Sequence, residues 1–265
     1  MNCCYTDVLT FWQNKSMNSV SELYAALDSF RILFAYNSNK IENENITYHD
    51  TREIFENGKV INYTGDTRTL FEIENQKKCF EFLAEKIVKK EPLSIDLIKK
   101  IHYTLTYGTL DERRFVTNNE RPGEFKKHDY VTGINEVGSP PEYVEEDLTS
   151  LINEVNDIKN DAKFNALTVA AYLHAGFEYI HPFADGNGRV GRTVMNYYLM
   201  VNDFPPLIIY DEDKKDYYKA LESYDTSEEL KPLIDFMQSQ TIKTWQNTIA
   251  RAAASDLKKT SRRNR

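Results

Sequence analysis

One stretch of twelve residues, about two-thirds of the way along the chain, organises this sequence: His181-Pro182-Phe183-Ala184-Asp185-Gly186-Asn187-Gly188-Arg189-Val190-Gly191-Arg192. It places an imidazole, a carboxylate, a Gly-Asn-Gly turn and two arginines beside one another. Few structural requirements would bring all of these groups into one short segment. The stretch is therefore interpreted as a site with its own chemistry.

The residues after Asp185 predict an anion-binding site. Asn187 opens a predicted helix, and the free N–H groups and dipole at a helix N-terminus attract anions. Glycines at 186 and 188 allow the backbone to approach an oxygen-rich ligand closely. Arg189 and Arg192 are three residues apart, so both project from one helix face, where guanidinium groups can grip phosphate. Two arginines and a helix N-terminus suit a polyphosphate better than a single phosphate.

The two titratable residues before the helix suggest the rest of the chemistry. A single carboxylate with phosphate oxygens and water is a usual environment for Mg²⁺, and Asp185 could supply that carboxylate. An imidazole suits general-base work near neutral pH, which makes His181 the candidate base. The sequence contains no P-loop, no G-x-G-x-x-G after a strand and no H-E-x-x-H. A nucleotide site in this chain must therefore be the one around the twelve residues.

Helical periodicity dominates outside this stretch, so the fold class is predicted to be mainly α. Ser19 and Glu22 form a capping box, and Ser94 is a second predicted cap. A short β-hairpin is predicted around residues 128–138, where glycines flank a β-prone run. The apolar stripes predict helices over residues 20–34, 73–87, 97–105, 144–155, 167–177, 190–201, 214–223 and 228 to about 253.

Composition narrows the class of protein. The chain has 265 residues, of which 41% are hydrophobic and 28% charged, as in an ordinary soluble domain. A net charge of −8 argues against a general nucleic-acid or membrane-surface binder. The three cysteines show no metal or disulfide spacing, and neither a leader peptide nor a run of about 18 apolar residues is evident. A cytoplasmic location is expected, without membrane or nucleic-acid partners.

At this point the sequence resembles the Fic (Fido) domain family, whose signature His-Pro-Phe-x-x-Gly-Asn-Gly-Arg-x-x-Arg is matched by residues 181–192. The resemblance extends from about residue 93 to about residue 240. It implies a Fic-type helical bundle with a small β-hairpin flap. On this pattern, residues 1–90 are an N-terminal helical region, 91–245 the Fic core with its flap at about 128–138, and 246–265 a helix end with a basic tail lacking fixed structure.

The resemblance also implies an activity: transfer of AMP from ATP to a Tyr, Thr or Ser hydroxyl of a target protein, with release of pyrophosphate. His181 would deprotonate the hydroxyl, and Asp185 would hold Mg²⁺. Lys126 stands where the family often has Arg, and Asp225 where it commonly has Asn. The residues implied to contact ATP are Asp185, Gly186, Asn187, Gly188, Arg189, Val190, Gly191 and Arg192, the flap residues Thr132, Gly133, Ile134 and Asn135, and Tyr217, Tyr218 and Asp225.

A second motif lies upstream, Ser38-Asn39-Lys40-Ile41-Glu42-Asn43, and it fits the family's inhibitory pattern [ST]-x-x-x-E-[GN]. The motif then implies that Ser38, Glu42 and Asn43 are inhibitory residues. Glu42 would pair with Arg192, which would otherwise hold the γ-phosphate. The simpler interpretation is a solvated helix end with Asn43 as its C-cap.

Several alternatives remain open from sequence. The chain could remove AMP with Glu42 and His181, or bind nucleotide only as a regulatory module. A kinase-like relative is disfavoured by the Gly-Asn-Gly-Arg form. The target could be another protein or the chain itself, and homo-oligomerisation is undecided.

Overall fold

The computed structural model describes residues 3–131, 138–158 and 165–263, with side chains up to residue 255. The described part is mainly α, as predicted, and contains no strand. The central residues of the predicted hairpin, 132–137, lie outside the described ranges. A π-helical turn covers Arg113–Thr117 and a 3-10 turn Asp211–Asp213. The helices are α1 (Tyr5–Gln13), α2 (Val20–Leu27), α3 (Phe30–Lys40), α4 (Tyr48–Asn57), α5 (Thr67–Val88), α6 (Ile95–Thr106), α7 (Val144–Ile158), α8 (Ala166–Ile180), α9 (Asn187–Val201), α10 (Lys214–Ser227) and α11 (Lys231–Arg263).

Helix α9 is the centre of the molecule. Almost every residue of α9 is buried, polar ones included, and such a helix must be surrounded by others. Helix α8 packs along it, α3, α5 and α6 contact its other sides, and α7, α10 and α11 cover α8. The loop between α8 and α9 is therefore held between the ends of two core helices. This places the twelve-residue stretch at a rigid position in the fold.

The predicted helices agree with the structure except at two places. The predicted helix 20–34 is two helices, because Asp28 adopts a left-handed backbone with φ of 36°. Asp and Ser at positions 28 and 29 favour helix ends, since their side chains compete with the helix for backbone hydrogen bonds. At the other end, α11 continues to Arg263, where a tail without fixed structure was expected. Its sequence there is rich in Ala and long-chain residues, which favour the helix.

Two helices were missed from sequence, α1 and α4. Thr47 caps α4, because its side chain accepts a hydrogen bond from the Asp50 N–H at 3.1 Å. That Thr-x-x-Asp pattern is the sequence signal that could have revealed the helix. Within the described ranges, no helix is both long and apolar enough to cross a bilayer.

Candidate active site

His181 ends α8 in a left-handed conformation, with φ of 50° and ψ of 61°. A non-glycine residue rarely adopts this conformation, and such backbone strain is concentrated at functional sites. Burial, and then the nearby Lys126 charge, lower the pKa of His181 to about 4, although a hydrogen bond with the Glu178 backbone opposes the shift. The imidazole is therefore neutral near pH 7, the form that a general base requires.

The loop after His181 is held by Asn187, the first residue of α9. Its side-chain oxygen accepts a hydrogen bond from the Phe183 N–H at 2.9 Å, and its amide nitrogen donates to the Phe183 carbonyl at 2.6 Å. The Lys126 N–H also donates to the Pro182 carbonyl at 3.0 Å. Asn187 is buried, and water does not reach the N–H and carbonyl of Phe183 here. The Asn187 side chain therefore supplies the hydrogen-bond partners that these two backbone groups need.

His102 supports the same loop from α6. Its ring stacks on Phe183 with centroids 3.7 Å apart. The Gly123 N–H donates to Nδ1 at 2.8 Å, so Nε2 carries the proton and donates to the Asp185 carbonyl oxygen at 3.1 Å. Burial lowers the pKa of His102 to about 3, which keeps this arrangement neutral. His102 therefore both packs against the loop and holds it by a hydrogen bond.

The N-terminus of α9 faces a cavity of about 420 Å³. Gly186 caps the helix with φ of 80°, a conformation that favours glycine. A Cβ atom at Gly188 would collide with the Glu42 carboxylate, so glycine is required for that approach. The cavity is lined by Glu42, Asn43, Asn45, Asp66, Arg68, Glu72, Arg114, Tyr130, Val131, His181, Ala184, Asp185, Gly186, Asn187, Gly188 and Arg189.

The predicted contact between Arg192 and the upstream motif is present. Arg192 Nη2 donates to Glu42 Oε1 at 2.7 Å and to the Ser38 carbonyl at 2.8 Å, and Nε donates to Ser38 Oγ at 3.1 Å. Arg192 is buried, whereas the Glu42 side chain is 36% exposed. Burial disfavours the charge of Arg192, but Glu42, Tyr217 and Glu178 together outweigh this effect, and the pKa of Arg192 is raised.

The other two charged residues of the stretch also pair with the N-terminal region. Arg189 Nη1 lies 3.3 Å from Glu72 Oε1, and Arg68 Nη2 lies 3.1 Å from Asp185 Oδ2. Nε and Nη1 of Arg189 have no hydrogen-bond partner within the described ranges, because the Glu72 contact has the distance of an ion pair without the angle of a hydrogen bond. Buried donors without acceptors beside a cavity suit an anionic ligand.

Arg68, Glu72 and Arg114 are site residues that the sequence analysis missed. Arg68 and Glu72 come from α5, and Arg114 donates from Nε to the Ala184 carbonyl at 2.9 Å. Thr69 and Glu72 also accept hydrogen bonds from the Asn43 side chain, at 3.3 and 2.8 Å. No local motif marks these residues, since each acts across more than twenty positions of sequence.

The remaining predicted contacts are less uniform. Val190, Gly191 and Tyr217 are buried, and Tyr217 hydroxyl bonds His174 Nε2 at 2.7 Å. His174 is thus a buried, hydrogen-bonded histidine. Tyr218 is 47% exposed and Asp225 is exposed, so both are accessible to a ligand. The flap residues 132–135 lie outside the described ranges.

The fold and the site define a class: an α-helical domain whose central helix presents its N-terminus and Arg189 to a nucleotide-sized cavity, which the neutral His181 at the end of α8 also lines. The sequence profile of the Fic/DOC family matches residues 92–199. Residues 92–199 therefore form a Fic/DOC domain.

Relatives in sequence and structure agree with this assignment. The chain is similar to protein adenylyltransferase fic-1 of Caenorhabditis briggsae, with 32% identity over 71% of this chain and 36% of the relative. It is also similar to protein adenylyltransferase Fic of Nematostella vectensis, with 31% identity over 79% of this chain and 46% of the relative. The chain thus spans less than half of these relatives.

Two solved structures share the fold. A Fic domain containing signaling protein from Bacteroides thetaiotaomicron has a TM-score of 0.78 at 23% identity, over 91% of this chain and 94% of that one. Fic-1 from C. elegans has a TM-score of 0.75 at 24% identity, over 95% of this chain and 71% of that one.

Proposed function

We propose that this chain is a protein adenylyltransferase, which transfers AMP from ATP to a Tyr, Thr or Ser hydroxyl of a target protein and releases pyrophosphate. One observation carries the proposal: His181, held neutral, lines the same cavity as the phosphate-sized cradle of Gly186, Gly188 and Arg189. A base beside an anion site is the minimum that hydroxyl attack on a phosphate requires. The similarity to adenylyltransferases supports the same reaction.

The proposed reaction uses these residues in turn. The N-terminus of α9 and Arg189, which both line the cavity, hold the phosphates. His181 takes the proton of the target hydroxyl as the hydroxyl oxygen attacks the α-phosphorus. The bond from the α-phosphorus to the oxygen bridging the β-phosphate breaks, and pyrophosphate leaves. Charge stabilisation and alignment provide most of such catalysis.

The residues present fit a magnesium ion only together with a nucleotide. No group of three or more metal-binding side chains occurs within the described ranges. Asp185 offers one carboxylate at the cavity, and Mg²⁺ is commonly held by one or two carboxylates and substrate phosphates. When bound there, Mg²⁺ would neutralise phosphate charge.

We further propose that Ser38, Glu42 and Asn43 restrain this transfer. Glu42 forms an ion pair with Arg192 and lies against Gly188. Its carboxylate is therefore in the space that the phosphates would need. The charge of Glu42 would repel the γ-phosphate, and the ion pair with Glu42 would keep Arg192 from binding that phosphate. A misaligned α-phosphorus costs a large rate factor even if ATP still binds.

The proposal is tested by labelling with α-³²P-ATP. Wild type, Glu42→Gly, His181→Ala and the double variant are each incubated with a lysate or on their own, and the modified residue is located by mass spectrometry. We expect strong labelling by Glu42→Gly, weak labelling by wild type and none by a Glu42→Gly, His181→Ala double variant. Labelling that persists without His181 would refute the proposed base, and equal labelling by wild type and Glu42→Gly would refute the restraint.

A second candidate is removal of AMP from a modified target. It is favoured by one observation: Glu42 lines the cavity together with His181 and is 36% exposed, so its carboxylate could orient a water molecule. Release of AMP from a pre-modified target, lost in both Glu42→Gly and His181→Ala, would support it. A regulatory module that binds nucleotide without chemistry would show ATP binding and neither reaction.

A further inference from the structure

The most unexpected contact in the site joins Arg68 to Asp185. Arg68 Nη2 lies 3.1 Å from Asp185 Oδ2, and the two residues are 117 positions apart. Asp185 is the carboxylate proposed to hold a divalent cation, so a guanidinium occupies the position where that cation would approach. We propose that Arg68 is a placeholder for the cation, and that it turns to the phosphates of the nucleotide when the cation takes Asp185. This inference rests on the proposed function.

The contact between Arg68 and Asp185 is suited to being broken. The Arg68 side chain is 37% exposed and that of Asp185 22% exposed, and a single hydrogen bond joins them. Pairs of this exposure contribute little to stability, because water screens both charges. A divalent cation bound directly to the carboxylate could therefore displace the guanidinium.

Glu72 keeps Arg68 at the cavity after such a displacement. Arg68 Nε donates to Glu72 Oε1 at 3.0 Å, a bond independent of Asp185. The Glu72 side chain is 3% exposed, and its second oxygen accepts from Asn43 at 2.8 Å, so this anchor is fixed. The backbone is fixed as well, because the Arg68 N–H donates to the Asp66 carboxylate at 2.9 Å. The remaining guanidinium nitrogens then face the space that the phosphates would fill.

The charge of the cavity supports the same sequence of events. Among the described residues, its lining carries three arginines, Arg68, Arg114 and Arg189, against four carboxylates, Glu42, Asp66, Glu72 and Asp185. With His181 neutral, the lining is formally negative by one charge. This lining would hold a polyphosphate better if a cation neutralised Asp185 and an arginine became free. One divalent cation at Asp185 accomplishes both.

The first test measures cation binding without nucleotide. Mn²⁺ is titrated into the full chain, and free Mn²⁺ is followed by electron paramagnetic resonance. We expect Arg68→Gln to bind Mn²⁺ about two- to fivefold more tightly than wild type, as expected for loss of a half-exposed ion pair. Arg52→Gln is the matched control, since Arg52 forms an exposed pair with Glu56 on α4 and should leave Mn²⁺ affinity unchanged.

The second test measures nucleotide binding at saturating Mn²⁺, with an ATP analogue carrying a methylene bridge between the α- and β-phosphates. We expect Arg68→Gln to bind the analogue about five- to tenfold more weakly in calorimetry, since an arginine-phosphate hydrogen bond is lost. Arg68→Lys keeps the charge but not the planar fork. It should bind Mn²⁺ like wild type and the analogue more weakly, and it serves if Arg68→Gln does not fold.

The outcomes separate this inference from the proposed function. Equal Mn²⁺ affinity in wild type and Arg68→Gln would overturn the placeholder, and unchanged analogue affinity would overturn the move to the phosphates. Asp185→Asn identifies the cation site. If it weakens Mn²⁺ binding while the Arg68 variants have no effect, only the present inference fails. If it does not change Mn²⁺ binding, the cation site of the proposed function fails too.

Discussion

The twelve-residue stretch and the N-terminal segments that face it are constructed in opposite ways. Residues 181–192 are contiguous, and their loop is fixed by buried hydrogen bonds of Asn187 and by the stacking of His102 on Phe183. The facing charges come from distant positions, since Glu42 is 150 residues from Arg192, and two of them, Glu42 and Arg68, are partly exposed. The reacting groups are thus held rigidly, whereas Glu42 and Arg68 make contacts that a ligand can replace.

The largest expected effect comes from the rigid side. His181→Ala, made in the Glu42→Gly background, should lower the labelling rate by about 10²–10⁴-fold, the usual contribution of a general base. Because the pKa of His181 is lowered to about 4, the base is neutral above that pH. The rate limited by this group should rise with pH up to about 4 and then be flat. An acid limb centred near 6.5 would show that the base is not held as described.

Asn187→Ala would remove the two hydrogen bonds that hold the loop between α8 and α9. It leaves the buried N–H and carbonyl of Phe183 without partners, at about 1–3 kcal/mol for each group. We expect the free energy of unfolding, measured by urea denaturation, to fall by about 2–4 kcal/mol. Asn57→Ala, an exposed residue whose side chain bonds Glu53 within α4, is the control and should change it by less than about 0.5 kcal/mol. Equal losses in both variants would contradict the special role of Asn187.

The inner face of the stretch gives a pH-dependent test. Glu178 on α8 lies beneath Gly191, and burial raises its pKa to about 7, against the attraction of Arg192. A carboxyl with a raised pKa adds stability below its ordinary pKa of 4.5, and this is lost as pH rises through about 7. The stability of Glu178→Gln relative to wild type should therefore rise by about 2–3 kcal/mol between pH 5 and pH 8. Denaturation at both pH values would measure this, and a constant difference would argue against the raised pKa.

His174 gives this test its internal reference. It lies 4.0 Å from Glu178, and burial, followed by the charge of Arg192, lowers its pKa to about 3. The contribution of His174 to stability changes with pH in the opposite direction. Below about pH 6.5 its side chain binds a proton in the unfolded chain but not in the folded chain, so stability falls toward acid pH. Wild type and Glu178→Gln share this loss of stability toward acid pH, so it cancels in their difference.

The smallest effect is expected at Glu42, whose contact with Arg192 a ligand can replace. Glu42→Gln removes the carboxylate that faces the phosphates but keeps a side chain of the same size, so ATP affinity in calorimetry should rise about fivefold, roughly 1 kcal/mol. Glu44→Gln is the matched control, because it makes the same charge change two residues away and Glu44 does not line the cavity. A similar rise in both variants would indicate a general charge effect and not a specific contact.

Much of this site could be predicted because its chemistry is local. His181, Asp185, Gly188 and Arg189 all line one cavity, as expected for residues within one turn and one helix end. The contact of Glu42 with Arg192 was also predicted, from a motif and not from geometry. Periodicity located most helices but failed at Asp28, where a left-handed residue interrupts an unbroken apolar stripe.

Arg68, Glu72 and Arg114 could not be predicted in the same way. Each is a charged residue near a helix end or in a turn, where solvated charges are common, and nothing beside it in sequence indicates a partner. Tyr217 shows the reverse case, since a residue expected at the nucleotide is 1% exposed and bonded to His174. Such placements depend on how α5, α8 and α10 pack, which no local pattern specifies.

The sequence by itself determined the helical class, the family and the order of reacting groups from His181 to Arg192, because these depend on short-range spacing. Only the tertiary structure decided which charges face them. Helices α3 and α5 pack against α9 and bring Glu42 to Arg192, Glu72 to Arg189 and Arg68 to Asp185. The physical reason is that an ion pair acts through distance in space, and the packing of apolar helix faces sets that distance.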